Sequence, residues 1–194
     1  MKDTDLFQLA LGLQAPWQVS KVEFDSVKSQ LTMMIDFPKG SRFSCPDCGQ
    51  LDCKSYDTEQ KSWRHLNFFQ HEAYLTARVP RSDCPRCGPR LIAVPWTRPG
   101  SGFTLLFEAY VILMAQQMPI CSLGQIVGEH DTRLWRLLHH DVDSEREQVD
   151  MSATVRVGMD ETSKSRGHDD VSLFVDFEER KVIFASPGKD ALNR

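Results

Sequence analysis

Two short stretches of this chain, CPDCG at residues 45–49 and CPRCG at 84–88, are near copies of one another. Each sets two cysteines three positions apart, with a proline after the first and a glycine after the second. A Cys-x-x-Cys turn aims two sulfurs at one point, and two such turns supply the four thiolates that a tetrahedral structural zinc takes at about 2.3 Å. Cys45, Cys48, Cys84 and Cys87 are therefore expected to hold one Zn2+. Gly49 and Gly88 are expected in the open backbone conformation that lets a chain leave a tight turn. Two redox pairs, or buried apolar thiols, are the bland alternatives, and duplication of the whole Cys-Pro-x-Cys-Gly unit argues against both. With four cysteines in place, His65 and His71 are not needed as ligands. Cys53 reads as incidental, and Cys121 as core packing.

The bulk properties suit such a site. The chain has 194 residues, 41% hydrophobic and 26% charged, which is ordinary for a globular protein of one large or two to three small domains. It has no run of about 18 apolar residues, and its N-terminus lacks the basic-then-apolar form of a signal peptide. The expectation is a cytoplasmic protein with no membrane contact, where thiols stay reduced and favour metal over disulfides. The net charge is −4, yet residues 60–98 hold Lys61, Arg64, Arg78, Arg81, Arg86, Arg90 and Arg98 against only Glu72 and Asp83. A basic segment on an acidic chain suggests contact with phosphates. Solvated arginines on a small domain are the plainer alternative.

In chain order, residues 1–40 read as a helix over 4–14, capped by Thr4 or Asp5 and ended by Pro16, then a β-hairpin (VSKVEFD, SQLTMMIDF). Residues 41–98 read as a zinc-ribbon-like domain. Within it, Ser62 to Val79 forms a further hairpin over the metal, and RLIAVPW is one more strand. Trp63, Phe68 and Phe69 could stack on bases, but in so small a domain aromatic residues more often build the core. TRPGSG (97–102) reads as a linker.

Residues 103–148 are helical. The first helix, 103–118, puts Phe103, Phe107, Tyr110, Val111 and Met114 on one face. Two more helices follow around a turn at Gly128, with Gly124 at their crossing and Leu123, Val127, Leu134, Leu137 and Leu138 inward. That is helix-turn-helix spacing, with Asp131 or Thr132 as cap of the second helix. Arg133, Arg136 and His140, with Thr132, are expected on its outward face for the major groove, and Arg64, Arg78, Arg81, Arg86 and Arg90 as phosphate contacts. Glu129 departs from the pattern, being a charge where such turns often carry an apolar residue. A plain αα-hairpin is the alternative. The acidic stretch 141–150 reads as a linker, and 153–194 returns to strands at 155–161, 170–178 and 181–186. The fold class is thus multi-domain α+β.

Gly158-Met159-Asp160-Glu161-Thr162, then Arg166-Gly167-His168 and a strand ending Phe174-Val175-Asp176, resembles the start of the catalytic domain of ISL-three family insertion-sequence transposases, a bacterial group of the DDE class. The paired knuckles, Trp63-Arg64-His65-Leu66, Val94-Pro95-Trp96, and Gly128-Glu129-His130-Asp131-Thr132 before Trp135 resemble that family's N-terminal half in the same order. The similarity runs from about residue 6 to about residue 190. It implies transposon-end double-stranded DNA as partner, with self-association left open, and an RNase H-like α/β catalytic domain beginning within 153–194. In that domain two Mg2+ or Mn2+ ions, held by Asp, Asp and Glu, drive strand cleavage and transfer. Asp160 matches the first catalytic Asp and would bind the catalytic metal. Glu161 and Asp176 match neither of the other two, which in the family lie beyond this chain's last residue. The resemblance therefore implies a transposase fragment that is inactive alone. A non-catalytic DNA-binding regulator derived from a transposase N-terminus is the second reading, and a zinc-stabilised protein-interaction module the third.

Overall fold

The computed structural model describes residues 2–148, 152, 154–165 and 169–187. The Arg166-Gly167-His168 stretch therefore lies outside the described residues. The chain divides into two units, residues 1–140 and 141–194.

The first unit opens with α1 (Asp3–Ala10), which starts ahead of the expected cap. Its entry is fixed by the Asp5 carboxylate, which accepts the Lys2 backbone N–H at 2.9 Å. The hairpin β1 (Gln18–Asp25) and β2 (Gln30–Asp36) follows, then β3 (Lys54–Phe68), β4 (His71–Cys84) and β5 (Gly88–Leu91). They form one sheet in the order β1-β2-β4-β3, with β5 beside the far end of β4. The join is a parallel pairing of β2 with β4, from Gln30 opposite Glu72 to Ile35 opposite Ala77. Residues 1–40 and 41–98, read from sequence as separate domains, are thus halves of a single sheet.

Strand alternation explains the core. Leu31, Met33 and Ile35 on β2 face the same side as Ala73, Leu75, Ala77 and Val79 on β4, and all are buried. Trp17, Trp63 and Trp96 close that layer, with Trp96 edge-on to both others. Trp63 is therefore core, while Phe68 and Phe69 lie exposed at the β3–β4 turn. The expected strand RLIAVPW stops at Leu91. Ile92 donates one last N–H to Pro80 O at 3.1 Å, and beyond that point β2 already occupies the edge of β4. Val94 and Trp96 then tuck into the core as irregular chain.

The helices α2 (Leu105–Ala115), α3 (Ile120–Val127) and α4 (Asp131–Gln148) carry a second core of Phe103, Phe107, Val111, Leu123, Val127, Leu134 and Leu137, with Leu66 of β3 packed against it. Thr104 caps α2 by accepting from the Phe107 N–H. Residues 97–102 are not a free linker. Arg98 and Ser101 both bind the buried Glu108 carboxylate, and Thr97 donates to Phe103 O at 2.7 Å. Gly102 O accepts the Arg64 N–H and the Thr104 N–H reaches Arg64 O, so this segment adds to the edge of β3. Cys121 is exposed on α3 and is not core packing. The helix α4 runs through the expected linker to Gln148, because no glycine or proline interrupts Asp131–Gln148.

In the second unit, β6 (Val157–Ser165), β7 (Asp169–Asp176) and β8 (Lys181–Pro187) form an antiparallel sheet in chain order. Among the described residues no helix is long and apolar enough to cross a membrane.

Candidate zinc centre and nucleic-acid interface

The hairpin β3–β4 and the short β4–β5 turn bring the two knuckles together. The sulfurs of Cys45, Cys48, Cys84 and Cys87 all lie within 4.8 Å of one another, with Cys48 and Cys84 at 3.6 Å. Four sulfurs at about 2.3 Å from a tetrahedral zinc would sit about 3.8 Å apart, so the cluster has the right size and donor chemistry for that ion. Cys45 and Cys84 are buried. Gly49 and Gly88 both take left-handed backbone, φ 70° and 73°, at the point where each knuckle closes. No neighbour crowds either one, so the backbone angle alone demands glycine.

The thiols are poised for metal. Burial pushes Cys84 up, but the backbone N–H groups of Arg86 and Cys87 and the Cys48 and Cys45 thiols outweigh it and bring it to about 6. The same crowding raises Cys87 to about 12, chiefly through its hydrogen bond with Cys48. Four thiolates cannot ionise side by side without a cation between them, so metal binding releases protons here. Cys53 sits in the same buried cluster and its thiol reaches Gln50 O at 3.4 Å, but it lies outside the group of four. His65 and His71 are also outside it. The Nδ1 of His65 meets Thr104 Oγ1 at 2.9 Å, and His71 packs on Phe24.

The helix-turn-helix follows the expected spacing. Gly128 ends α3 in the left-handed conformation, φ 71°. A Cβ on Gly124 would lie 2.8 Å from both Asp131 Oδ1 and Glu129 O, so the crossing of α3 and α4 admits no side chain there. The cap of α4 is neither Asp131 nor Thr132. His130 precedes the helix, and its Nδ1 accepts the Thr132 N–H at 3.2 Å.

Arg64 corrects the sequence reading. It is 1% exposed and cannot reach a phosphate. Its guanidinium donates to His65 O, Ala73 O, the Asn67 side chain and, at 2.9 Å, Val127 O at the end of α3. Its Nε lies 3.7 Å from the Glu129 carboxylate, whose side chain is only 5% exposed, and the group lies 5.5 Å from the centre of the Tyr74 ring and 5.4 Å from that of Phe107. The out-of-place charge in the turn is thus, with Glu72, one of two carboxylates whose charge acts on the out-of-place arginine in the sheet. Glu129 also takes Arg133, whose guanidinium lies 4.4 Å from the centre of the Phe103 ring.

The remaining sites sort by their partners. Arg78 pairs with Asp36 at 3.2 Å, Arg81 grips Asp57 with two nitrogens, and Arg90 pairs with Asp47. These aspartates precede residue 60, so the basic bias of 60–98 is balanced in space. Such exposed pairs are worth at most about 1 kcal/mol and exchange readily for a phosphate. Arg86 and Arg136 are exposed and pair with no carboxylate among the described residues. Thr132 and His140 are exposed on α4.

In the second unit Asp160 is exposed on β6, opposite Leu173, and accepts the Glu161 N–H at 2.9 Å. Asp176 is buried and accepts the Glu178 and Glu179 N–H groups, which hold the β7–β8 turn and keep its carboxyl below the usual range. Among the described residues, the four cysteines form the only group of three or more metal-ligating side chains.

Comparison with known families settles what the two modules are. Residues 41–87 match the zinc-finger of transposase IS204/IS1001/IS1096/IS1165, and residues 92–142 match the helix-turn-helix domain of transposase family ISL3. Each module is thus similar to a module of the ISL3-type insertion-sequence transposases. Two curated relatives, each named transposase for insertion sequence element IS1557, come from Mycobacterium tuberculosis strains CDC 1551 / Oshkosh and ATCC 25618 / H37Rv. Each is 29% identical over 204 residues, covering 98% of this chain and 44% of the relative. The chain thus spans less than half the length of these curated relatives. No solved structure matches it.

Proposed function

We propose that this chain is the DNA-addressing part of an ISL3-family insertion-sequence transposase, acting in the cytoplasm on the duplex ends of its element. The observation that carries the proposal is the Arg64–Glu129 contact, which locks the helix-turn-helix onto the zinc-bearing sheet. The outward side of α4 then reads base edges with Arg136, Thr132 and His140, while Arg86, Arg78, Arg81 and Arg90 supply phosphate contacts. Zinc at Cys45, Cys48, Cys84 and Cys87 fixes the far end of the sheet and takes no part in chemistry.

Asp160 is the first carboxylate of a two-metal strand-transfer site in an RNase H-like domain that opens with β6–β8, and Mg2+ or Mn2+ is the ion for such oxygen donors. The antiparallel order of β6–β8 and the exposure of Asp160 support this reading. Selection from a randomised duplex pool by the zinc-loaded chain tests the proposal. A single enriched consensus, weakened at least tenfold by Arg136→Ala, is expected. Enrichment of no sequence would overturn it.

A further inference from the structure

The chain has four tryptophans, and three of them, Trp17, Trp63 and Trp96, are buried in the sheet core at 6, 5 and 8% exposure. Trp135 is 49% exposed on α4. It stands one turn after Thr132, directly before Arg136 and one turn before His139, and its ring meets the His139 ring at 5.8 Å with a 32° tilt. All four residues are exposed on the side of α4 away from Leu134 and Leu137. An indole left in water forgoes the burial that its size would otherwise contribute. On the same face stand a hydroxyl, a guanidinium that pairs with no carboxylate among the described residues, and an imidazole, groups of the kind that meet base edges in the major groove.

Resting on the DNA-binding reading above, we propose that Trp135, braced by His139, is a specificity-determining residue of α4 that covers the C5-methyl group of thymine in the major groove. The methyl is the one apolar group a base pair presents there, and a flat indole beside a donor-bearing Arg136 covers a methyl while Arg136 bonds the neighbouring base. The bound sequence should then contain a thymine next to the base that Arg136 reads.

The test uses the zinc-loaded 194-residue chain and two 30-base-pair duplexes of alternating A·T pairs, one with thymine and one with uracil in every T position. Uracil removes the methyl and leaves every hydrogen-bonding group unchanged. The thymine duplex is expected to bind about three- to fourfold more tightly per methyl covered, and to quench or shift the emission of the one exposed tryptophan. In Trp135→Ala and Trp135→Phe, checked for zinc content and helicity, the alanine variant should lose the thymine preference and phenylalanine should keep part of it. Equal binding of both duplexes with unchanged emission would overturn the proposal while leaving DNA binding intact. No binding of either duplex at low salt would sink the DNA reading as well. An emission shift that follows protein concentration without DNA would assign Trp135, with the exposed Val142 two turns on, to a contact between chains and would also overturn it.

Discussion

Replacing Arg64 with alanine removes the centre of the contact between sheet and helix-turn-helix. The side chain is 1% exposed, donates to Ala73 O and Val127 O, and faces a Glu129 carboxylate that is itself buried. Its loss leaves two buried carbonyls short of a donor and strands part of the charge on Glu129, which keeps Arg133 as a half-exposed partner. Removing one member of a buried pair costs about 3–5 kcal/mol, set against about 5–15 kcal/mol for the total stability of a typical domain. Glu129→Ala should cost less, about 2–3 kcal/mol, because the guanidinium keeps its carbonyl partners. The double variant should then be less damaged than the sum of the two by about 1–3 kcal/mol. Urea unfolding followed by far-UV circular dichroism, with zinc in excess, reads all three. A cost below about 1 kcal/mol for Arg64→Ala, or additivity within about 0.5 kcal/mol, would refute the clamp.

Four further outcomes follow from the same geometry. Gly124→Ala should destabilise by about 2–3 kcal/mol, since its methyl would meet the Glu129 backbone, whereas Gly49→Ala meets only a backbone penalty of about 1 kcal/mol; unfolding midpoints in the opposite order would contradict the packing. His65 is held down to about 4 from 6.5 by burial first and the Arg64 cation second. The unfolded chain therefore takes up the proton first as pH falls, so stability is full above about pH 6.5 and drops by roughly 1 kcal/mol by pH 5.5 and roughly 3 kcal/mol by pH 4. His65→Gln should flatten that slope over the range in which zinc content stays constant, and an unchanged slope would rule His65 out. Metal analysis should return one zinc per chain for the wild type, Cys53→Ser and Cys121→Ser, and less for serine at any of the four ligand cysteines. The purified chain should show no Mg2+-dependent nicking of duplex DNA; turnover abolished by Asp160→Ala would mean that Asp160 has found the carboxylate partners it lacks among the described residues.

The features that could be read from the residues were the local ones. The knuckles, the glycine at the α3–α4 crossing, the left-handed Gly128 and the strand alternation of 30–36 are each fixed by a few neighbouring side chains. The parallel pairing of β2 with β4 was hidden because nothing local distinguishes the strand a hairpin will join. The same holds for residues 97–102, whose turn composition masks the two hydrogen bonds to Glu108 of α2 and the bond from the Arg64 N–H of β3 to Gly102 O. Arg64 was misread because a lone arginine beside other basic residues is usually solvated. One signal was available. Arg64 follows the core residue Trp63 directly, and Glu129 sits where an apolar residue was expected; two misplaced opposite charges in one chain are candidates for each other.

The central claim is that zinc sheet and helix-turn-helix form one DNA-reading body. The measurement that tests it most directly is duplex affinity as a function of salt, with zinc bound and after its removal by a chelator. With several arginine–phosphate contacts, log affinity should fall linearly with log salt at a slope of about −0.9 per phosphate neutralised, and removal of zinc should abolish the sequence preference along with most of the affinity. Sequence-specific binding that survives zinc removal unchanged would contradict the account.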